Sequence, residues 1–159
     1  MQQISRIAAD LCIGYSLGAL LLLKSSWQLT GKPGILIAGF PDLRKESKRG
    51  GSFLVEEIKT IQRNLGRHPL RTLNHFYRHF GLSLSCKSID DYDLEELNWG
   101  LDFLAKESYD ASIPDNFYAY LGGRDRLIDA VLVAEQFPHS KTIPSAGHCL
   151  CDYLPHIKL

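Results

Sequence analysis

The run Gly14-Tyr15-Ser16-Leu17-Gly18-Ala19, continued by four leucines to Leu23, constrains this chain more than any other stretch. One reading makes Leu11 to Leu23 the apolar part of a secretory signal, with Arg6 as its positive flank. Asp10 stands directly before the run, however, and no small-x-small cleavage site follows before Lys24. The run also falls short of the roughly 20 residues that cross a bilayer. The other reading is a buried strand, a tight turn at Ser16 and a buried helix. A serine at such a tip is held in a strained backbone conformation. Side chains two residues before and after it are expected to collide as strand and helix close together, so glycine is expected at both Gly14 and Gly18. The first amides of the helix then face any anion that forms at the hydroxyl.

A serine hydroxyl is a weak nucleophile without a base, and the base needs an orienting acid. G-x-S-x-G is short enough to arise by chance, so its weight rests on context. In a strand-turn-helix setting the partners should follow in the order acid, then histidine, each in a loop after a strand. Asp125 follows "FYAYLGGR" and His148 follows "KTIPSAG", with room between them for one helix. Alone, Asp125 would read as a cap for that helix and His148 as an ordinary loop histidine. Asp129 is a rival acid, but the pattern puts it inside the helix expected over Leu127 to Gln136. The joint arrangement favours a Ser16, Asp125 and His148 triad.

Strands are expected at Leu11 to Ile13, Ile35 to Phe40 (stopped by Pro41), Phe117 to Leu121 and Lys141 to Pro144. Helices are expected over Leu17 to Leu29 and Leu127 to Gln136, with a helical turn from Cys149 onward. Between the second and third strands lie three amphipathic segments, Ser52 to Asn64, Leu70 to Phe80 and Asp93 to Lys106. Short apolar strands alternating with helices argue for an α/β fold on a parallel sheet, interrupted by a helical insertion.

Formal net charge is zero across the 159 residues, and nothing in the total points to nucleic acid or an anionic membrane. The charges are segregated, however. From Arg44 to Phe80 there are nine cations against three acids, and from Asp90 to Asp110 eight acids against Lys106 alone. Such blocks pair internally, stand as solvated helix faces, or offer a basic face to an acidic partner. The four cysteines, Cys12, Cys86, Cys149 and Cys151, form no disulfide framework, because Cys149 and Cys151 are too close for an easy bridge. Reduced thiols in the cytoplasm are expected. His148, Cys149, Cys151 and His156 lack a second ligand pair for zinc. His75 and His79 lie one helical turn apart, but "HFYRH" lacks the glutamate of H-E-x-x-H. No metal or other cofactor is expected.

"GYSLGALLLL", "GGRDRLID" and "SAGHCL" resemble the α/β-hydrolase fold enzymes across the chain. "HPLRTLNHFYRHFG" and "LNWGLDFLAKESYDASI" look most like the pimeloyl-acyl-carrier-protein methyl ester esterases of biotin synthesis. The resemblance implies a hydrolase core over 1–43 and 112–159 and a helical cap over 44–111. It assigns Ser16 as nucleophile, Asp125 as acid and His148 as base, and leaves the Leu17 amide as the identifiable oxyanion donor. It places a carrier-binding role on Arg71, with Arg67 and Arg78 as helical neighbours. Enzymes of this fold normally carry about four strands before the elbow, so the chain is expected to be the C-terminal part of the fold, with about four strands. Two expectations follow: a missing oxyanion donor, and a bare edge on the elbow strand open to an N-terminal segment or to self-association. An alternative is an inactive remnant that binds a carrier protein or a complementary chain.

Overall fold

The computed structural model describes residues 9–26, 31–82 and 85–157. Four strands, β1 (Cys12–Tyr15), β2 (Gly34–Ile37), β3 (Phe117–Gly122) and β4 (Ser140–Ile143), form one sheet in the order β1-β2-β3-β4. Every pairing is parallel, with Ile13 beside Ile35, Ile35 beside Tyr118 and Tyr120 beside Lys141. The links between parallel strands carry helices. Helix α1 (Leu17–Lys24) follows β1 and α5 (Ala130–Ala134) follows β3. Helices α2 (Val55–Arg67), α3 (Pro69–His79) and α4 (Leu94–Lys106) lie between β2 and β3.

Alternation along the strands makes two cores. Leu36, Phe117, Ala119 and Leu121 point to one face and pack with Leu20 and Leu23 of α1 and Val133 of α5. Ile35, Ile37, Tyr120 and Ile143 point to the other, where Ala146 and Tyr153 of the C-terminal segment meet them. Leu20 and Leu23 are wholly buried, each contributing about 2 kcal/mol by leaving water. The helical half of the apolar run is thus in the core, whereas β1 lies at the edge of the described sheet with only Gly14 buried, so the strand is less buried than expected. Among the described residues no helix is long and apolar enough to cross a membrane. The Arg6 flank and the expected end of the first helix at Leu29 lie outside the described residues.

The inserted helices begin where local chemistry dictates. Pro69 opens α3, where a missing N–H is harmless. Asp93 caps α4 by accepting from the Glu95 and Glu96 amides at 2.8 and 3.1 Å. The Glu57 carboxylate accepts the Leu54 N–H ahead of α2. Leu65 of α2 and Leu73 of α3 share a small core with Leu97 and Leu101 of α4. Where the chain leaves β2, the buried Asp42 takes both nitrogens of the Arg44 fork, at 2.9 and 2.7 Å. That hydrogen bonding raises the Arg44 pKa above its ordinary value.

Two expectations need correcting. The second strand stops at Ile37, ahead of Pro41, because Ala38 turns into the left-handed region at φ 46°. The helix expected over Leu127 to Gln136 contracts to α5, because Asp129 accepts from the Val131 and Leu132 amides and so caps it. Asp129 lies at the start of the helix, not inside it.

Candidate active site

The geometry of the site begins with the backbone of Ser16, at φ 53° and ψ −120°. A residue with a side chain occupies this region only under constraint, at a cost of about 1–3 kcal/mol. The constraint is visible on both sides. The Ser16 N–H donates to the Ile37 carbonyl at 3.0 Å, and its own carbonyl accepts from Ala19 at 2.9 Å as α1 begins. Gly14 must be glycine here, since a Cβ would lie 2.7 Å from the Ala19 Cα and 2.7 Å from the Gly18 carbonyl oxygen. Gly18 differs from expectation. A Cβ there meets nothing within 4 Å, so the predicted collision on the helix side does not occur. The tight approach of strand to helix falls at Gly14, against the Gly18 carbonyl and the Ala19 backbone, while the Cβ position of Gly18 faces open space.

The loops after β3 and β4 deliver the other two groups. His148 Nε2 lies 2.8 Å from Ser16 Oγ, and His148 Nδ1 lies 2.7 Å from an Asp125 carboxylate oxygen. The other Asp125 oxygen accepts the Leu127 N–H at 2.8 Å. The side chains of His148 and Asp125 are 3% and 0% exposed, so water does not compete for the bonds that fix the ring. Glycine is needed once more, at the end of β3. A Cβ on Gly122 would lie 2.5 Å from the Gly147 carbonyl oxygen, in the loop that carries His148.

Three further groups hold that loop, and no local sequence pattern marks them. The Tyr15 hydroxyl donates to the His148 carbonyl at 2.7 Å. Asp152 accepts the Gly147 N–H at 2.8 Å, and the Tyr153 hydroxyl donates to the Gly147 carbonyl at 2.8 Å. Burial pushes the Tyr15 phenol up to about 12, with Cys149 and Asp125 adding to the effect. The hydroxyl therefore keeps its proton and remains a donor throughout the neutral range. Tyr15→Phe is expected to lower stability by about 1–2 kcal/mol, because the carbonyl of the buried His148 loses its partner. Urea unfolding of the two proteins measures it; equal midpoints would show that the bond contributes nothing.

The Leu17 N–H is the first of α1 and makes no hydrogen bond among the described residues. A cavity of about 820 Å³ opens beside Leu17, walled by Tyr92, Leu97 and Trp99, with Asp93 and Glu95 on its rim. A second cleft, of about 790 Å³, runs between α2 and α3 and holds Arg71, His75 and His79 but none of the triad. The first cleft touches the site through Leu17, the residue that follows Ser16. Ser16, Leu17, Asp125 and His148 are thus brought together, whereas Arg67, Arg71 and Arg78 stand exposed on α2 and α3. Part of the segregated charge pairs internally, as in Arg49 with Asp110 at 2.8 Å. Arg67, Arg71 and Arg78 form no ion pair among the described residues.

A parallel sheet, a strained serine between strand and helix, and acid and histidine on the following loops define an α/β-hydrolase-like fold with the geometry of a serine-hydrolase triad. Solved structures agree on the fold. The chain is similar to a hydrolase from Oleispira antarctica, with a TM-score of 0.61 and 17% identity over 91% of this chain and 60% of that one. It is also similar to an esterase from a Rhodococcus species, with a TM-score of 0.51 and 16% identity over 87% of this chain and 57% of that one. The chain therefore spans less than two thirds of the length of either. No protein-family model and no curated protein matches the chain.

Proposed function

We propose that the protein is a serine carboxylesterase. The observation that carries this is the continuous relay from Asp125 through His148 to Ser16, at 2.7 and 2.8 Å with the acid and base buried. Ser16 Oγ attacks the ester carbonyl while His148 Nε2 takes its proton. The oxyanion accepts from the Leu17 N–H. His148 returns the proton to the departing alcohol, then activates water to release the acid, and Asp125 holds the imidazole in the required tautomer throughout.

The substrate reading is narrower. The likeness of the 44–111 segment to pimeloyl-carrier esterases supports a cap over those residues and a methyl ester of a carrier-bound dicarboxylate, as in biotin synthesis in the cytoplasm. Exposed Arg67, Arg71 and Arg78 support docking of an acidic carrier protein. A fluorophosphonate probe is expected to label the protein, and Ser16→Ala to abolish labelling; equal labelling of the two would end the nucleophile assignment. Methanol release from carrier-linked and free methyl esters then checks the substrate, and equal kcat/KM for the two would remove the carrier from it.

One observation favours a second reading. Among the described residues β1 pairs on one side only, and Ile13 on it is 52% exposed. A complementary chain adding a strand there would bury that edge and furnish a second oxyanion donor. Labelling that appears only after such a chain is supplied would favour it.

A further inference from the structure

Two sulfurs stand beside His148 that the esterase chemistry does not use. Cys149 is partly exposed and Cys151 exposed, and both are free thiols. Their spacing in sequence argued against a bridge, but the fold changes the geometry. The residue between them, Leu150, opens a 3-10 turn. The separation of two α-carbons flanking one residue is set by that residue's dihedrals. A turn conformation at Leu150 puts them roughly 5 Å apart, inside the range of about 4.4–6.8 Å that disulfides span. The neighbouring Cys149 side chain, the largest cause, raises the Cys151 pKa above its ordinary value.

We propose that Cys149 and Cys151 form a reversible dithiol–disulfide site next to His148, oxidised by hydrogen peroxide. Cys149, reacting as its thiolate, attacks the peroxide. An S–O bond forms, the O–O bond breaks, and the departing oxygen leaves as water after taking a proton. The Cys151 sulfur then attacks the resulting sulfenic sulfur. The S–S bond forms, the S–O bond breaks, and a second water carries away the remaining oxygen and the thiol proton. Two thiols lose two electrons in total and one peroxide becomes two waters. A ring closed over a single intervening residue is strained, which makes it easily reduced and suited to reversible chemistry, not to a structural staple.

The position gives the chemistry a consequence. Cys149 is bonded to His148, whose carbonyl is held by Tyr15 at 2.7 Å, and the Cys149 carbonyl accepts the Asp152 N–H at 3.0 Å. Asp152 in turn holds the Gly147 N–H. Closing a ring over Leu150 pulls on this turn at both ends and displaces the imidazole from Ser16. The dithiol step itself does not rest on the esterase reading; its effect on Ser16 does.

The test treats the full chain and Cys151→Ser with hydrogen peroxide, then with dithiothreitol. The tryptic peptide spanning 142–158 is expected to lose two hydrogens and regain them on reduction, and the Cys151→Ser peptide to show no such change. The His148 ring-proton resonances are expected to shift on oxidation and return on reduction. Ser16 labelling is expected to slow by about 10²-fold in the oxidised protein, the effect of a misplacement near 1 Å. A peptide that stays fully alkylatable at both thiols, or a disulfide that leaves the His148 resonances unmoved, would overturn the proposal. A protein whose Ser16 never labels but whose disulfide forms and shifts His148 refutes the esterase reading and sustains this one.

Discussion

Replacing His148 with alanine is expected to slow acylation of Ser16 by about 10⁴- to 10⁶-fold, the loss seen when a triad loses its base. Ser16 Oγ has His148 Nε2 as its one hydrogen-bond partner among the described residues, so no neighbouring group can take over the proton. Asp125→Asn should cost about 10⁴-fold, because an amide facing Nδ1 favours the wrong tautomer. The double variant should be little slower than His148→Ala, since both act through one imidazole. Release of p-nitrophenol from a short acyl ester measures all three. Asp125→Asn is the cleaner probe of the relay. His148→Ala leaves a buried carboxylate with only the Leu127 N–H, so its folding must be checked by circular dichroism. A His148→Ala protein within tenfold of the parent rate would remove the imidazole from the chemistry.

How far the sequence reveals this site depends on what kind of contact is involved. Ser16, Asp125 and His148 are legible because each is tied to a local pattern: a glycine-flanked turn, and two loops directly after apolar strands. The four parallel strands are legible for the same reason. Tyr15, Asp152 and Tyr153 are not, because their roles depend on where two loops meet in space. Tyr15 lies 133 residues from the carbonyl it holds. Asp129 is a cap that periodicity cannot tell from a helix interior; the distinction lies in which amides its carboxylate accepts. The end of β2 is not legible because proline is a visible stop, whereas a left-handed alanine at Ala38 leaves no mark in the sequence. The charge blocks were visible, but their pairing was not. Arg49 finds Asp110 across the fold, while Arg71 opens onto the cleft between α2 and α3.

Gly14→Ala and Gly18→Ala are expected to differ sharply, though the motif treats the two glycines alike. At Gly14 the added methyl would lie 2.7 Å from the Ala19 Cα, 2.7 Å from the Gly18 oxygen and 2.9 Å from the Ala19 nitrogen. All three are backbone atoms of α1, so no side chain can rotate aside. Relief requires β1 and α1 to separate, and that movement breaks the contacts of Ala19 and Leu20, both fully buried. Overpacking of this kind costs about 3 kcal/mol or more where backbone must move. The shift also carries Ser16 away from His148, so labelling should fall together with stability. At Gly18, near the start of α1, the methyl enters open space and alanine restricts the unfolded chain, for a gain of up to about 1 kcal/mol. Urea midpoints of the two variants decide the matter. A Gly18→Ala protein as damaged as Gly14→Ala would mean that α1 packs closer to a neighbour than this structure shows. A Gly14→Ala protein of unchanged stability would mean that the strained turn at Ser16 yields more easily than its bond to Ile37 implies.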